Sequence, residues 1–235
     1  IDEAKAHLEV LGFPPGRITV SGIPIDPIFS VRKTRESLRR KHGLTADLPV
    51  VLVSAGALGI GSAEPMVRML GRMTTPAQIV VICGRNDDLR ERVERQVAAM
   101  NAPHLHFHPL GYTTEMDEWM KAADLFVGKP GGLTPSEAVA CGLPMVVFQP
   151  IPGQEERNSD HLLERGAAVR CNQVTTLAYK VDELLADPRR LRAMSAAASA
   201  LGYPRAAADI VDRVVTEDDG GSVKLTRGLR KRMRR

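Results

Sequence analysis

The chain has 235 residues, of which 43% are hydrophobic and 26% charged, and its formal net charge is +4. These proportions are ordinary for a globular protein with a sizeable core, and no apolar run is long enough to predict a transmembrane helix. Aromatic residues make up only 4%, which argues against a surface that stacks on single-stranded nucleic acid, so no nucleic-acid partner is expected.

The first residues and the cysteines bear on where the protein works. The chain starts at Ile1 and enters charged helical sequence at once, so no signal peptide is expected, and we expect an upstream portion to precede it. The three cysteines, Cys83, Cys141 and Cys171, lie far apart and make no metal-type spacing. This favours free thiols in a reducing cytoplasm.

The front of the chain differs from the rest. Residues 1–16 read as a helix that ends in Gly-Phe-Pro-Pro-Gly, and a short strand is predicted over residues 17–21. Residues 22–27 contain two prolines and a glycine, which predict a rigid connector. We therefore interpret residues 1–27 as the end of a preceding domain and a linker.

From residue 50 onward, short β-branched runs alternate with longer amphipathic ones. The first two predicted strands are apolar on both faces, which is typical of a parallel sheet covered on both sides. The pattern predicts an α/β fold, a Rossmann-like doubly wound parallel sheet over residues 28–217. The predicted strands are 50–54, 78–83, 104–108, 124–127, 144–149 and 167–170, and the predicted helices are 63–73, 87–100, 114–123, 135–141, 155–165, 176–186, 188–200 and 204–216.

A glycine-rich turn follows the fourth predicted strand. Residues 129–137 read Lys-Pro-Gly-Gly-Leu-Thr-Pro-Ser-Glu. Thr134 is a good N-cap, and Glu137 falls three residues later, so a capping box is predicted. Gly131 and Gly132 let a ligand approach the backbone closely, which suits a phosphate at the start of a helix. The alternative is a well-capped helix without a ligand.

A second polar turn follows the fifth predicted strand. Ligands of open parallel sheets bind beyond the carboxyl ends of the strands. Gln154, Glu155 and Asn158 have side chains that can hydrogen-bond several hydroxyl groups. The alternative is a polar loop that caps the next helix, but two such turns after neighbouring strands favour a shared binding site.

A third turn, residues 54–62, is rich in glycine and follows the first predicted strand. It has neither the G-x-G-x-x-G spacing nor the lysine of a P-loop, so it is weak support on its own. It suits a diphosphate or the approach of a second domain, or it is only a tight turn between strand and helix.

These motifs resemble one family when they are read together. The block from Lys129 to Pro144, then Pro152-Gly-Gln-Glu-Glu-Arg-Asn158, then Arg165-Gly-Ala-Ala168, resembles glycosyltransferase family 28. The likeness is greatest to the diacylglycerol glucosyltransferases and monogalactosyldiacylglycerol synthases, and it covers residues 5–200. It implies the C-terminal half of a GT-B architecture, in which two Rossmann-like domains face a cleft.

The resemblance also implies roles at matching positions. Glu137 corresponds to the carboxylate that holds the ribose, and Gln154 and Glu155 to the pair that contacts the donor sugar. Asn158 belongs to the same motif. The remaining implied donor-binding residues are Gly131, Gly132, Leu133 and Thr134 facing the diphosphate, Gly56 and Gly59 near the phosphates, and Tyr112, Thr113 and Arg85 near the uracil or nucleotide.

The function implied by this resemblance is UDP-sugar-dependent hexosyl transfer to a lipid such as diacylglycerol, with inversion and without a metal or cofactor. UDP-glucose or UDP-galactose is the expected donor. The acceptor domain and the catalytic base belong to the other half, so this chain alone is expected to bind donor and transfer poorly. The enzyme is expected in the cytoplasm, on the inner face of the membrane.

Two other functions fit the same residues. One is a non-catalytic donor-binding subunit of a split glycosyltransferase, and the other is a UDP-sugar epimerase of the same architecture. The epimerase would form product from the donor without any lipid acceptor.

A histidine-rich strand and two basic clusters are further candidate sites. His104, His106 and His108 alternate on one strand and could share a metal, but an exposed polar strand face is the simpler interpretation. The tail, residues 218–235, is expected to be flexible, and its basic residues suit either solvent or an anionic membrane surface. The second cluster is interpreted as an exposed helix face that could also meet the membrane; it contains Arg32, Lys33, Arg35, Arg39, Arg40 and Lys41.

Overall fold

The computed structural model of the chain describes residues 1–54 and 63–216. Their contacts divide them into two compact units. The larger unit is Ile28–Gly202, and the smaller combines Ile1–Pro27 with the described residues from Tyr203 onward. The predicted domain boundaries, after residues 27 and 217, stay predictions.

The larger unit contains a six-stranded parallel sheet in the order β3-β2-β1-β4-β5-β6. This is the strand order of a doubly wound Rossmann-like sheet, so the predicted fold class is confirmed. The strands are β1 Val50–Ser54, β2 Ala77–Ile82, β3 Leu105–Leu110, β4 Leu125–Gly128, β5 Met145–Phe148 and β6 Ala168–Cys171.

Helices alternate with the strands as predicted. Within the described ranges, each helix is too short or too polar to cross a lipid bilayer. The described helices are α1 Asp2–Val10, α2 Arg35–Lys41, α3 Ala63–Leu70, α4 Asp87–Ala98, α5 Met116–Ala122, α6 Thr134–Ala140, α7 Gln154–Glu164, α8 Leu177–Leu185, α9 Pro188–Leu201 and α10 Ala206–Thr216.

The central strands explain why the sheet forms where it does. β2 is buried along its whole length, and so is β1 except for its last residue. Helices supply the cover, and α3 shows how: Met66, Val67 and Leu70 recur at helical spacing and are fully buried. A side-chain cap fixes the start of α4. The Asn86 side chain accepts a hydrogen bond from the Leu89 N–H at 2.9 Å.

The smaller unit departs from prediction in one place. The strand predicted over residues 17–21 is wrong, because the described residues there form a short 3-10 turn, Pro15–Arg17, and then an unpaired extended segment. A strand needs a partner for its backbone groups, and within residues 1–54 and 63–216 no strand pairs with this segment. Gly22 has φ of +75° and packs against Tyr203, where a β-carbon would come within 2.4 Å of the tyrosine side chain.

The predicted exposed helix face of the basic cluster at residues 32–41 is partly wrong: Arg39 is buried and Lys33 half-buried, whereas the other four basic residues, Arg32, Arg35, Arg40 and Lys41, are exposed. Arg39 is only 8% exposed and donates to three backbone carbonyls, of Ala122, Ala46 and Leu48. Its guanidinium also pairs with Asp124 at 2.6 Å. Arg39 therefore serves internal packing, since buried charges require partners and hydrogen bonds.

The lysines of the same cluster pair with the acidic start of α5. Lys33 contacts Asp117 and Glu118 at 2.8 and 2.9 Å, and Lys41 contacts Glu118 at 2.6 Å. The hydrogen bonds from Lys33 and Lys41 lower the pKa of Glu118 from its ordinary value of 4.5 to about 2. Burial alone would raise the pKa of Asp117, but its bonds from Lys33 and Lys121 outweigh burial and leave the pKa lowered.

Replacing Arg39 by Met should destabilise the protein by about 3–5 kcal/mol, because it removes one partner of a buried ion pair while keeping the side-chain volume. Arg40→Met is the matched control, since Arg40 forms an exposed pair with Glu36 and should change stability by less than about 1 kcal/mol. Denaturant unfolding of both variants measures the difference. Equal free energies of unfolding for the two variants would show that the Arg39 contacts stabilise the protein no more than those of Arg40.

Glu118 should make stability depend on acid. Its folded pKa is lowered, so its stabilisation is complete above pH 4.5 and is lost as the pH falls toward about 2. Glu118→Gln should therefore melt below the wild type at pH 7, and the gap should shrink at pH 3. Thermal unfolding at both values tests this, with Glu36→Gln in an exposed pair as control. A gap that stays constant with pH would contradict it.

Candidate functional site

A pocket of about 360 Å³ opens at the carboxyl ends of the strands in the middle of the sheet. In the sheet, β1 has β2 on one side and β4 on the other, so the strand order reverses direction between β1 and β4. This point of reversal is the topological switch point, at which such sheets bind ligands. The pocket combines loops that are distant in the chain. Its lining residues are Ser54, Ile82, Gly84, Arg85, Tyr112, Thr113, Met116 and Thr134.

Arg85 and Tyr112 form one wall of this pocket. The Arg85 guanidinium carbon lies 4.6 Å from the centroid of the Tyr112 ring, which is cation–π geometry. Tyr112 is 60% exposed, so a flat ring is presented at the rim. Beside it, the Thr113 hydroxyl oxygen accepts from the Glu115 N–H at 3.0 Å. The structure thus brings together three residues that the sequence predicted for the nucleotide.

The turns after β4 and β5 lie side by side. We call residues 129–133 the β4 turn and residues 149–153 the β5 turn. A β-carbon on Gly131 would lie 3.9 Å from Glu155 Oε1, and one on Gly132 would lie 4.0 Å from Gln154 Nε2. The β4 turn and the first residues of α7 therefore face each other within van der Waals range, as the sequence predicted.

The β5 turn is fixed by the helix that follows it. Glu155 Oε2 accepts from the Ile151 N–H at 2.7 Å, and Glu156 Oε2 accepts from the Gly153 N–H at 3.2 Å. Gly153 has φ of +100°, and Gln149 has φ of +40°, which is strained for a residue with a side chain. One oxygen of Glu155 is thus held by its own turn, while the other lies on the side of Gly131.

Asn158 joins the two turns through its side chain. Its Nδ2 donates to the carbonyl oxygens of Pro130 and Gly131 at 3.2 and 3.1 Å. Gln154 and Glu155 lie one helical turn earlier on the same side of α7. The donor contact implied for Asn158 stays a prediction.

The predicted capping box at residues 134–137 is wrong. α6 begins at Thr134 with Leu133 as its N-cap, and no side chain caps it. Leu133 adopts the right-handed helical conformation, and its carbonyl already accepts from the Glu137 N–H at 2.9 Å. The helix therefore starts one residue early, and Thr134 lines the pocket instead.

Some of the predicted site residues lie outside the described residues. Some residues that line the pocket were not predicted from the sequence. Gly56 and Gly59 belong to residues 55–62, which the structure does not describe, and so does the basic tail. Ile82, Gly84 and Met116 line the pocket without having been singled out from the sequence. The position of Ile82 and Gly84 at the end of a predicted strand is the signal that would have found them, whereas Met116 falls in the predicted helix 114–123 and carries no such signal.

The Cys83 thiol next to this pocket is not a nucleophile. It is 1% exposed, and burial, followed by the charge of Glu94, raises its pKa to about 11. A thiol with that pKa stays protonated near neutral pH and is unreactive.

The predicted histidine strand does not gather a metal site within the described residues. His104 Nε2 is bonded to the Met73 carbonyl at 2.8 Å, and burial, with His106 nearby, lowers the pKa of His108. Only His106 of the three is exposed, so the predicted exposed face is partly wrong.

A different group, not predicted from the sequence, has the spacing to share a metal: His42, Glu115 and Glu118. The Lys41 ammonium already lies 2.7 Å from Glu115 and 2.6 Å from Glu118. The charge of the two carboxylates is thereby compensated without a metal.

Comparison with known proteins shows which family the chain matches. The sequence model described as "Glycosyl transferases group 1" matches residues 35–200. The chain is 30% identical over 219 residues to a "Processive diacylglycerol beta-glucosyltransferase" of Bacillus pumilus, covering 93% of this chain and 56% of that protein. The predicted likeness to diacylglycerol glucosyltransferases is confirmed. The chain spans about half the length of the curated relatives it matches.

Solved structures share the fold. MurG of Acinetobacter baumannii superposes with a TM-score of 0.63 at 24% identity, over 80% of this chain and 55% of that one. The UDP-GlcNAc 2-epimerase of Neisseria meningitidis, bound to UDP-GlcNAc, gives a TM-score of 0.66 at 14% identity, over 92% of this chain and 59% of that one. At these identities the likeness establishes the fold, a GT-B half, and not the reaction.

Proposed function

Because this chain belongs to the family of glycosyl transferases group 1, we propose that it is the donor-binding half of a UDP-sugar-dependent hexosyltransferase that forms a glycosyl-diacylglycerol-type glycolipid. The observation that carries the proposal is the meeting of the β4 turn with Gln154 and Glu155 beside the switch-point pocket. The name that the similar proteins bear, processive diacylglycerol beta-glucosyltransferase, supports the lipid acceptor and favours UDP-glucose over UDP-galactose.

The donor is assigned along the carboxyl edge of the sheet. The uracil occupies the pocket beside Tyr112 and Thr113, where the Arg85 guanidinium lies over the Tyr112 ring. Glu137, in the first turn of α6, takes the ribose hydroxyls. The diphosphate lies over the β4 turn and Thr134, and the hexose reaches Gln154 and Glu155. The phosphate contact implied for Gly56 and Gly59, which fall outside the described residues, stays a prediction.

The reaction follows from that placement. A hydroxyl of the lipid attacks the anomeric carbon, the bond from that carbon to the diphosphate oxygen breaks, and UDP leaves with the electron pair. The hydroxyl proton passes to a base in the acceptor-binding half, and in-line attack inverts the anomeric configuration. Backbone N–H groups of the β4 turn stabilise the charge that develops on the departing diphosphate, without a metal. Gln154 and Glu155 orient the sugar for attack.

The acceptor side is proposed to work at the inner face of the membrane. Diacylglycerol stays in the bilayer, so the enzyme binds peripherally to an anionic surface. Within residues 32–41, Lys33 and Arg39 pair internally and do not provide this contact. The exposed residues Arg32, Arg35 and Arg40 are candidates for it. The basic tail from Lys224 is a second candidate for it.

Donor affinity tests the site assignment. Glu137→Ala and Glu155→Ala should each weaken UDP-glucose binding by about 1.5–3 kcal/mol, because each removes hydrogen bonds from a charged group. Glu137→Ala should also weaken UDP, whereas Glu155→Ala should leave UDP unchanged. Calorimetry on the 235-residue chain measures both ligands, with Glu164→Ala, an exposed glutamate at the end of α7, as control. Unchanged affinities in both variants would contradict the assignment.

Product analysis tests the reaction. The chain with its acceptor-binding half, supplied with UDP-glucose and diacylglycerol vesicles, should yield hexosyl-diacylglycerol and UDP by mass spectrometry, and this chain alone should yield neither. Epimerised UDP-sugar without lipid would instead identify an epimerase, a reaction that the shared fold permits. An acceptor half encoded as a separate polypeptide would identify a split enzyme.

A further inference from the structure

Asn158 makes two hydrogen bonds that no sugar contact requires. Its Nδ2 carries two N–H groups, and they serve the carbonyls of Pro130 and Gly131 at 3.2 and 3.1 Å. The side chain is half-buried between α7 and the β4 turn. Both hydrogens of the amide are therefore used to hold the backbone of a neighbouring turn.

These two bonds determine where the β4 turn points its N–H groups. In a trans peptide unit the carbonyl and the following N–H point in opposite directions. Fixing the carbonyls of Pro130 and Gly131 toward α7 turns the N–H groups of Gly131 and Gly132 away from it. Within the described part of the chain, neither N–H donates to any acceptor. Two N–H groups on adjacent residues that both face away from α7 are suited to bind an anionic oxygen.

We propose that Asn158 is a positioning residue: it holds the β4 turn so that the N–H groups of Gly131 and Gly132 face the diphosphate of the donor. This inference rests on the proposed function. It differs from the role implied by the resemblance, in which Asn158 belongs with the residues that contact the donor. Gln154 and Glu155 sit four and three residues before it on α7, so one helix face both meets the sugar and aligns the phosphate donors.

The two roles predict different ligand dependence. A residue that touches the hexose affects UDP-glucose and leaves UDP unchanged, because UDP has no hexose. A residue that orients the phosphate-facing turn affects UDP and UDP-glucose by the same factor. The comparison of these two ligands therefore separates positioning from sugar contact.

The test uses Asn158→Asp, which keeps the side-chain size but replaces the two N–H donors by a carboxylate facing two carbonyls. The Kd for UDP should rise about tenfold, and the Kd for UDP-glucose should rise by the same factor. Asn158→Ala, which adds no charge, should act in the same direction to a smaller extent. Asn101→Asp, at an exposed asparagine near the amino end of β3, is the matched charge control and should bind as the wild type does.

Two outcomes would overturn the proposal: unchanged UDP affinity with weaker UDP-glucose binding, or no change for either ligand. If the wild type bound no UDP, the proposed function itself would be refuted. The role of Asn158 in holding the β4 turn can then still be tested by a measurement without ligand. Backbone ¹⁵N relaxation should show lower order parameters at Gly131 and Gly132 in Asn158→Asp than in Asn101→Asp. Equal order parameters would show that Asn158 does not hold the turn.

Discussion

The pairing of β1 with β4 is the interaction on which the site depends. At the amino ends of these strands, the Asp124 N–H donates to the Val50 carbonyl, and the Asp124 carboxylate accepts from the Val50 N–H, each at 2.8 Å. Arg39 and Arg35 complete the anchor by pairing with the same carboxylate. A slip of one residue would turn every side chain of β4 to the other face and carry the β4 turn away from the end of β1.

This anchor stands at the edge of the sheet opposite the pocket, and the separation has a consequence. The charges of Asp124, Arg35 and Arg39, which fix the register, are paired with one another at the amino edge. The carboxyl edge can therefore present backbone groups and polar side chains to a ligand. Four neighbouring strands then end at one place, and loops from three distant segments share a single pocket. Stability and ligand chemistry are thus assigned to opposite ends of the same strands.

The sequence predicted the sheet and the meeting of the two turns because both have local signals. Buried strands such as β1 read as continuous β-branched runs, and the edge at which their loops meet follows from parallel topology. The inward pairing of Lys33 and Arg39 could not be predicted, since a basic helix does not reveal acids more than eighty residues away. The capping motif at Thr134 failed for the opposite reason: the local pattern was right, but the backbone of Leu133 had already entered the helix.

The short helix face that starts α7 couples recognition of the sugar to alignment of the leaving group. Gln154 and Glu155 lie against Gly132 and Gly131, and Asn158 holds the carbonyls just before them. Under the proposed function, a shift of α7 that admits a different hexose also moves the N–H groups that face the diphosphate. Donor preference can therefore change through the side chains at 154 and 155 without loss of transfer only while the bonds of Asn158 to the β4 turn are kept.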